Sequence, residues 1–524
     1  MAAILSKITQ YSPDFHLLRV FAWVALPLVS VALYNRRTSF PRPPGPRGLP
    51  LVGNLFQLND DSWNLFTQWK ADYGPIVHIS LGGQEVVILN TFESAAELLE
   101  KRSAIYSDRP TLFVAREILT DGLFFTFVQY GALWRKMRRA AQQTFRKDGV
   151  KDFWNIHEAE AAVLAKSLVD SPAEWEAHLR RALSSTVMSV TYDTPMLKTE
   201  HDPIIAGILD FTKAVLKAAF VDGAMVENFP VLKHLPSWLA GWKREAKTAS
   251  VRYSGMFESL FGDVKKRVAE GDERVSFAAA LVRKQKTFDL DDKQSAWLAA
   301  AFAAGSETVS TTLAWFLLAI VMNPELQEKA HKELDAIVGR ERLPTVSDMG
   351  DMPYLRAMGR ETLRWHPVDP LGMQHKSIQD DWYYGYFIPK GTICIPNIWA
   401  INRDTDIYGL DADVFRPERF LDANGELAPI QFDTNKEEGH VTFGFGRRLC
   451  IGRHIAHEAL FIHMATILWM FNIKPVKGSD GRPLVPSEDG INQGLVVRPQ
   501  SFNCDFIPRF PETRSTLEAA VEGC

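Results

Sequence analysis

Cysteine is scarce in this 524-residue chain: Cys394, Cys450, Cys504 and Cys524 are the four present. None belongs to a Cys-x-x-Cys pair, so neither a zinc ribbon nor a disulfide framework is expected, and a reduced, cytosol-facing environment fits. No Asn-x-Ser/Thr sequon occurs. Neither sign of charge dominates. The net charge of -4 gives no basic domain of the kind that grips nucleic acid, and no nucleic-acid partner is expected. A Gly-x-Gly-x-x-Gly run is absent, so the chain carries no dinucleotide fingerprint of its own. Internal repeats and breaks in composition are also missing, which favours one large domain over several. Apolar material is plentiful, at 46% hydrophobic residues with 32 Phe and 14 Trp, enough for a sizeable core.

One apolar run lies near the N-terminus. Leu17 to Tyr34 has a single charge, Arg19, and is followed by Asn35-Arg36-Arg37. It is about as long as a minimal membrane span, and positive charge on its C-terminal side predicts that the rest of the chain stays in the cytosol. An amphipathic helix lying in the interface is the alternative. Pro41-Arg42-Pro43-Pro44-Gly45-Pro46-Arg47-Gly48 then reads as a stiff extended linker. Residues 75–90 read as a hairpin around Gly82-Gly83, and Thr91 as the cap of a helix to Glu100. From Tyr106 to Tyr130 the pattern is loop-like and holds Phe113, Phe124, Phe125 and Phe127, either as a pocket wall or as plain core. Gly131 to Phe145 predicts a helix with a basic face, on which Trp134 and Arg138 share a side.

Residues 153–270 are mostly helical in pattern, interrupted at Phe229 to Trp242. There two prolines and two tryptophans suit either a membrane interface or a buried inter-helix loop. Asp291 to Asn323 predicts one long helix of about 48 Å. Its middle, Ala303-Ala304-Gly305-Ser306-Glu307-Thr308-Val309, sets a carboxylate and a hydroxyl in an apolar helix, where both need partners. Thr308 bonding to an upstream carbonyl would open a local distortion. Met352 to Trp365 predicts a helix with Glu361 and Arg364 on one face, and Phe415-Arg416-Pro417-Glu418-Arg419-Phe420 lies downstream. Strands are expected around residues 382–386 and 392–395, and a late hairpin at 491–497.

The most specific stretch is Phe443-Gly444-Phe445-Gly446-Arg447-Arg448-Leu449-Cys450-Ile451-Gly452. Glycines let a backbone approach something flat, and arginines favour a neighbouring thiolate. The spacing Phe-x-x-Gly-x-Arg-x-Cys-x-Gly resembles the haem-ligand loop of the cytochrome P450 family. Trp134-x-x-x-Arg138, Ala304-Gly305-x-Glu307-Thr308, Glu361-x-x-Arg364 and Pro417-Glu418-Arg419-Phe420 resemble four more of its motifs, in the family's order, across the chain after about Pro41.

The resemblance implies a mainly α fold with a smaller β part: a single haem-thiolate monooxygenase domain over 51–524, after a membrane anchor (1–37) and a Pro-rich hinge (38–50). It implies haem b with Cys450 as axial ligand of the iron and Phe443 beside it. Trp134, Arg138, His375 and Arg448 would meet the propionates, though Gln374 stands where the family has proline. Glu307 and Thr308 would deliver protons to the distal oxygen; Val309 departs from the family's Thr/Ser. Glu361, Arg364 and Arg419 would form a structural network, and residues 368–373 would line the pocket. The helix from Arg453 to Phe471 would point its N-terminus at the thiolate.

It further implies O2 and a lipophilic small-molecule substrate, similar to those of fungal secondary-metabolism members: a terpenoid or polyketide-like intermediate. Electrons would come from an NADPH-dependent reductase docking near Lys136, Arg139 and Arg447. The chain would sit in the endoplasmic reticulum membrane as a single-pass protein. A reductase-free isomerase or dehydratase and a non-enzymatic haem sensor are the rivals. The first tends to lack the acid–alcohol pair, and the second needs neither Thr308 nor a large apolar pocket.

Overall fold

The computed structural model describes residues 40–522, apart from 200, 222, 224, 225, 228, 430–437 and 495. The expected anchor at 1–37 lies outside the described residues. The chain divides into two compact units, one of residues up to 43 with 380–389, the other of 44–379 with 390–524. The expected hinge is therefore shared between them. Residues 44–50 go with the larger unit because their backbone is used there: Pro44 O accepts from the His78 N–H at 2.9 Å and Pro46 O from Asn54 Nδ2 at 3.1 Å.

The larger unit is mainly helical. Its principal helices are α1 (Ser62–Tyr73), α2 (Ala132–Thr144), α3 (Trp154–Asp170), α4 (Trp175–Tyr192), α5 (Pro203–Leu216), α6 (Gly241–Ala269), α7 (Asp292–Ala303), α8 (Ser306–Met322), α9 (Glu325–Ile337), α10 (Pro353–Trp365) and α11 (Arg453–Met470). A four-stranded sheet runs beside them. Strands β1 (Ile76–Leu81) and β2 (Gln84–Leu89) form the expected hairpin, with Gly82 and Gly83 both at positive φ (57° and 89°) as a tight two-residue turn requires. Strands β3 (His375–Lys376) and β6 (Ile393–Pro396) complete it in the order β1-β2-β6-β3, with β2 and β6 parallel. In the smaller unit, β4 (Asp381–Tyr383) and β5 (Tyr386–Ile388) form a hairpin where one strand is expected. Tyr384 and Gly385, at φ 50° and 76°, make its turn. The remaining strands are β7 (Phe471–Pro475), β8 (Gly490–Asn492), β9 (Val497–Pro499) and β10 (Cys504–Pro508); β8 and β9 pair as the late hairpin.

Two further elements differ from expectation. The long helix begins as read, with Asp291 and Gln294 forming a reciprocal cap. It is not continuous, however: it breaks at Ala304-Gly305 between α7 and α8. The Gly305 N–H bonds Phe302 O at 2.8 Å, and Thr308 Oγ1 donates to Gly305 O at 2.9 Å, taking a carbonyl out of the regular ladder. Second, the Phe-rich loop contains a π-type helix, Phe113–Leu119, entered through Leu112 in the left-handed region (φ 45°). Such turns have no periodicity by which a sequence announces them.

Residues 292–322 are the one described stretch long and apolar enough, by length and composition, to cross a membrane. In the fold 78% of that window is buried inside the protein, where Trp315, Phe316 and Leu317 join Trp365 and Trp469 in the main core.

Candidate active site

The loop from Phe443 to Gly452 is held at both ends. The Cys450 N–H donates to Phe443 O at 2.9 Å, closing the loop on itself. Gly446 has φ 55°, and a Cβ there would sit 2.1 Å from Leu99 O, so glycine alone fits that close approach. α11 starts directly after Gly452, so its N-terminus faces back toward Cys450. Cys450 is surrounded by protein, and the surface it leaves exposed opens onto a cavity of about 400 Å³. Burial pushes its pKa up; the Gly452 N–H, Arg138 and Arg453 pull it back toward the thiolate.

The cavity is largely apolar. Phe124, Phe125 and Phe127 form part of its wall, whereas Phe113 turns away to pack edge-on against Trp242 at 6.4 Å. The break between α7 and α8 borders the cavity, with Ala304, Gly305, Thr308 and Val309 in its lining. Glu307 points elsewhere: its Oε2 accepts from Arg498 Nη1 at 3.1 Å. The structure thus brings Thr308 to the cavity and sets the carboxylate of its neighbour behind the wall.

At one side of the cavity, donors converge. Trp134 Nε1 is buried and has no hydrogen-bond partner among the described residues. Arg448 lies over the Trp134 ring at 4.6 Å and donates to Ser107 O and Val128 O, at 2.8 and 2.7 Å. Arg138 donates to Leu449 O at 2.7 Å. His375 Nδ1 sits 2.7 Å from Tyr106 O, so this nitrogen carries the proton. Its other nitrogen donates only when the ring is an imidazolium. Burial and the nearby Arg109 hold the ring well below the usual histidine range. An anion in the cavity would oppose both effects.

Arg109 is absent from the sequence-based set. It is buried in the cavity wall, where Nε donates to Thr126 O at 3.3 Å and Nη1 to Met373 O and Gln374 O at 2.8 and 2.6 Å. These last bonds fix the backbone around Gln374, the position that departs from the family's proline. Burial lowers the pKa of Arg109 to about 10, of Arg138 to about 10 and of Arg448 to about 8, the last pushed further down by Arg109. Three guanidiniums and a histidine that destabilise one another's charge form a site for a ligand with more than one negative charge. A haem, with two propionates and an iron for Cys450, fits it. Phe443 lines the same cavity and stacks edge-on with His457 at 5.0 Å.

Behind the loop, Glu361, Arg364 and Arg419 are in direct contact and almost fully buried. Arg364 Nε and Nη2 grip the two oxygens of Glu361 at 2.6 and 2.7 Å, and Arg419 Nε reaches Oε1 at 3.0 Å.

Comparison with known proteins agrees with this site. The family model for cytochrome P450 matches residues 43–506. A cytochrome P450 monooxygenase of Armillaria gallica is 46% identical over 95% of this chain and 97% of its own length. Cytochrome P450 monooxygenase 58 of Postia placenta is 44% identical, covering 92% of this chain and 91% of its own. Cytochrome P450 monooxygenase iboC of Amanita muscaria is 38% identical, covering 97% and 98%. With its Cys450 loop, its broken central helix and a match over nearly its whole length, the chain belongs to the cytochrome P450 family of oxidoreductases, whose cofactor is haem on a cysteine thiolate.

Proposed function

We propose that this chain is a monooxygenase that hydroxylates a lipophilic small molecule, and that Cys450 would supply the thiolate that holds the haem iron. The carrying observation is Cys450 opening onto an apolar cavity beside a cluster of Trp134, Arg138, His375 and Arg448. Those four residues would hold the propionates, and Phe443 would pack against the macrocycle. Bound haem supplies the O2 chemistry, for which an axial thiolate favours O–O cleavage by donating electron density. Thr308 holds a hydroxyl proton at the cavity wall, already oriented by Gly305 O. Glu307, the preceding residue and tied to Arg498, feeds that hydroxyl through water. The Phe wall excludes bulk water and orients an apolar substrate.

That wall and fungal relatives over nearly the full length support a lipophilic substrate, which we take to be a secondary-metabolite intermediate of terpenoid or polyketide type. Electrons arrive from an NADPH-dependent reductase. Arg139 and Arg447 are exposed for an acidic partner, while Lys136 is half-buried and paired with Asp289 at 2.5 Å. Residues 1–37 anchor the protein in the endoplasmic reticulum membrane, with the catalytic part in the cytosol. Exposed Val231 (73%), Trp238 (74%) and Leu239 (58%) supply a second apolar contact with the bilayer.

The test is Cys450→Ser. The reduced, carbon-monoxide-treated variant is expected to lose the red-shifted absorption band of a thiolate-ligated haem. An unchanged band would remove Cys450 from the role.

A further inference from the structure

One side chain in the cavity wall is out of keeping with its surroundings. Of the expected stretch 368–373, Val368, Asp369, Gly372 and Met373 line the cavity while Pro370 and Leu371 line only the smaller pocket beside it, and among them stands a carboxylate, Asp369. It is not part of the Cys450 floor or of the donor cluster. It also lines a smaller adjoining pocket of about 110 Å³, shared with Trp63, Asn492 and Val497. Asp369 therefore stands where the main cavity meets a second space beside the β8–β9 hairpin.

Its backbone is tied down. The carbonyl of Val368 accepts from the Val497 N–H at 2.8 Å, Pro370 follows, and the Gly372 N–H returns to Asp369 O at 3.2 Å with Gly372 at φ 59°. The nearby N–H groups of Leu371 and Gly372 favour the ionised form of its carboxyl. A carboxylate offers about four acceptor positions, which leaves capacity for a ligand. Arg109 attracts it through space, but Nε and Nη1 of Arg109 are committed to the carbonyls of Thr126, Met373 and Gln374.

The charges around it select the ligand. An ammonium group on the substrate would sit beside Arg109, with Arg138 and Arg448 on the same cavity wall. A carboxylate on the substrate would be repelled by Asp369 itself. A neutral donor escapes both penalties, and an apolar wall accepts the rest of such a molecule. We propose that Asp369 is a specificity determinant that accepts a hydrogen bond from a hydroxyl already present on the substrate, and so sets which end of the molecule lies away from Cys450. The natural substrate is then a lipophilic alcohol rather than a hydrocarbon. A preceding hydroxylation, or hydrolysis of a precursor ester, must supply it. This rests on the monooxygenase reading above.

The test compares farnesol with farnesene, an apolar pair that differs by one hydroxyl, by equilibrium titration of the haem-loaded full-length enzyme at a pH well above 7, where the Asp369 carboxyl is ionised. Binding is read from the shift of the main haem absorption band. Wild type is expected to bind the alcohol at least tenfold more tightly, the lower end of what a hydrogen bond to a charged acceptor contributes. In Asp369→Leu the ratio should collapse toward one; Asp369→Asn, which keeps an acceptor oxygen, should retain a several-fold preference. The carbon-monoxide band of each variant reports whether the site is intact. An intact band with no alcohol preference in wild type, or with the full preference surviving in Asp369→Leu, overturns the anchor and leaves the monooxygenase reading standing. Absence of the band from wild type overturns both.

Discussion

The buried ionic network behind the Cys450 loop allows a quantitative expectation for Glu361→Gln. Glu361 Oε1 accepts from Arg364 Nη2 at 2.7 Å, from the Arg416 N–H at 2.8 Å and from Arg419 Nε at 3.0 Å; Oε2 accepts from Arg364 Nε at 2.6 Å. Glutamine keeps the shape but removes the charge that balances two guanidiniums. With its oxygen in the Oε1 position, its NH2 must face the Arg364 Nε–H, donor against donor. Removing one partner of a buried ion pair costs about 3–5 kcal/mol, and a domain has only about 5–15 kcal/mol to lose.

The damage should reach the haem loop by a defined route. Arg364 Nη1 donates to Asn402 O at 2.8 Å, and Asn402 in turn bonds the Val441 N–H and Thr442 Oγ1, at 3.1 and 2.9 Å. Thr442 precedes Phe443. Denaturant unfolding of the holoenzyme, followed by circular dichroism and by haem absorbance, should show a midpoint lowered by an amount equivalent to about 3–5 kcal/mol, with haem released more readily. Glu418→Gln is the control: its pairing with Lys329 is partly exposed, and its loss should cost under about 1 kcal/mol. A Glu361→Gln enzyme within about 1 kcal/mol of wild type, with full haem content, would refute the charge-balance argument.

Thr308→Ala should leave the thiolate band intact, because the side chain bonds only Gly305 O among the described residues. Product formed per NADPH should fall several-fold, with peroxide making up the difference; fully coupled turnover would remove Thr308 from proton delivery. Asp369 supplies a pH signature. Burial raises its pKa from 3.8 to about 7 against the pull of Arg109. The folded state therefore holds the proton more tightly than the unfolded chain, and stability is lost as pH rises from about 4 through about 7. Asp369→Asn lacks this loss. In parallel urea melts its stability relative to wild type should climb across that window and level off above it, and curves that stay parallel would contradict the assigned environment.

What could be read from the sequence depended on how far apart the interacting residues lie. The Gly82-Gly83 turn, the Thr91 and Asp291 caps and the Glu361–Arg364 pair are local, and each formed where expected. The Cys450 loop was legible because its spacing is itself the geometry: Gly446 has to pass Leu99, and Cys450 has to close on Phe443. The break at Ala304-Gly305 was read only as a distortion of one continuous helix, since its extent depends on which carbonyl Thr308 captures.

Two acidic residues show where local pattern stops. Glu307 was paired with Thr308 for proton delivery, and its carboxylate is held by Arg498, 191 residues away in β9. No periodicity within α8 encodes that pairing. Asp369 was passed over inside a stretch read only as pocket lining. Its importance comes from Arg109, far upstream, and from a turn closed by the Gly372 N–H on its own main-chain carbonyl. The helix position that looked most chemical holds its charge behind the wall, and the charge that lines the cavity is on a loop. If proton delivery needs a carboxylate at the cavity itself, Arg498→Ala should release Glu307 and raise the rate of NADPH-driven turnover. If Thr308 and water suffice, that variant should lose stability and gain no rate.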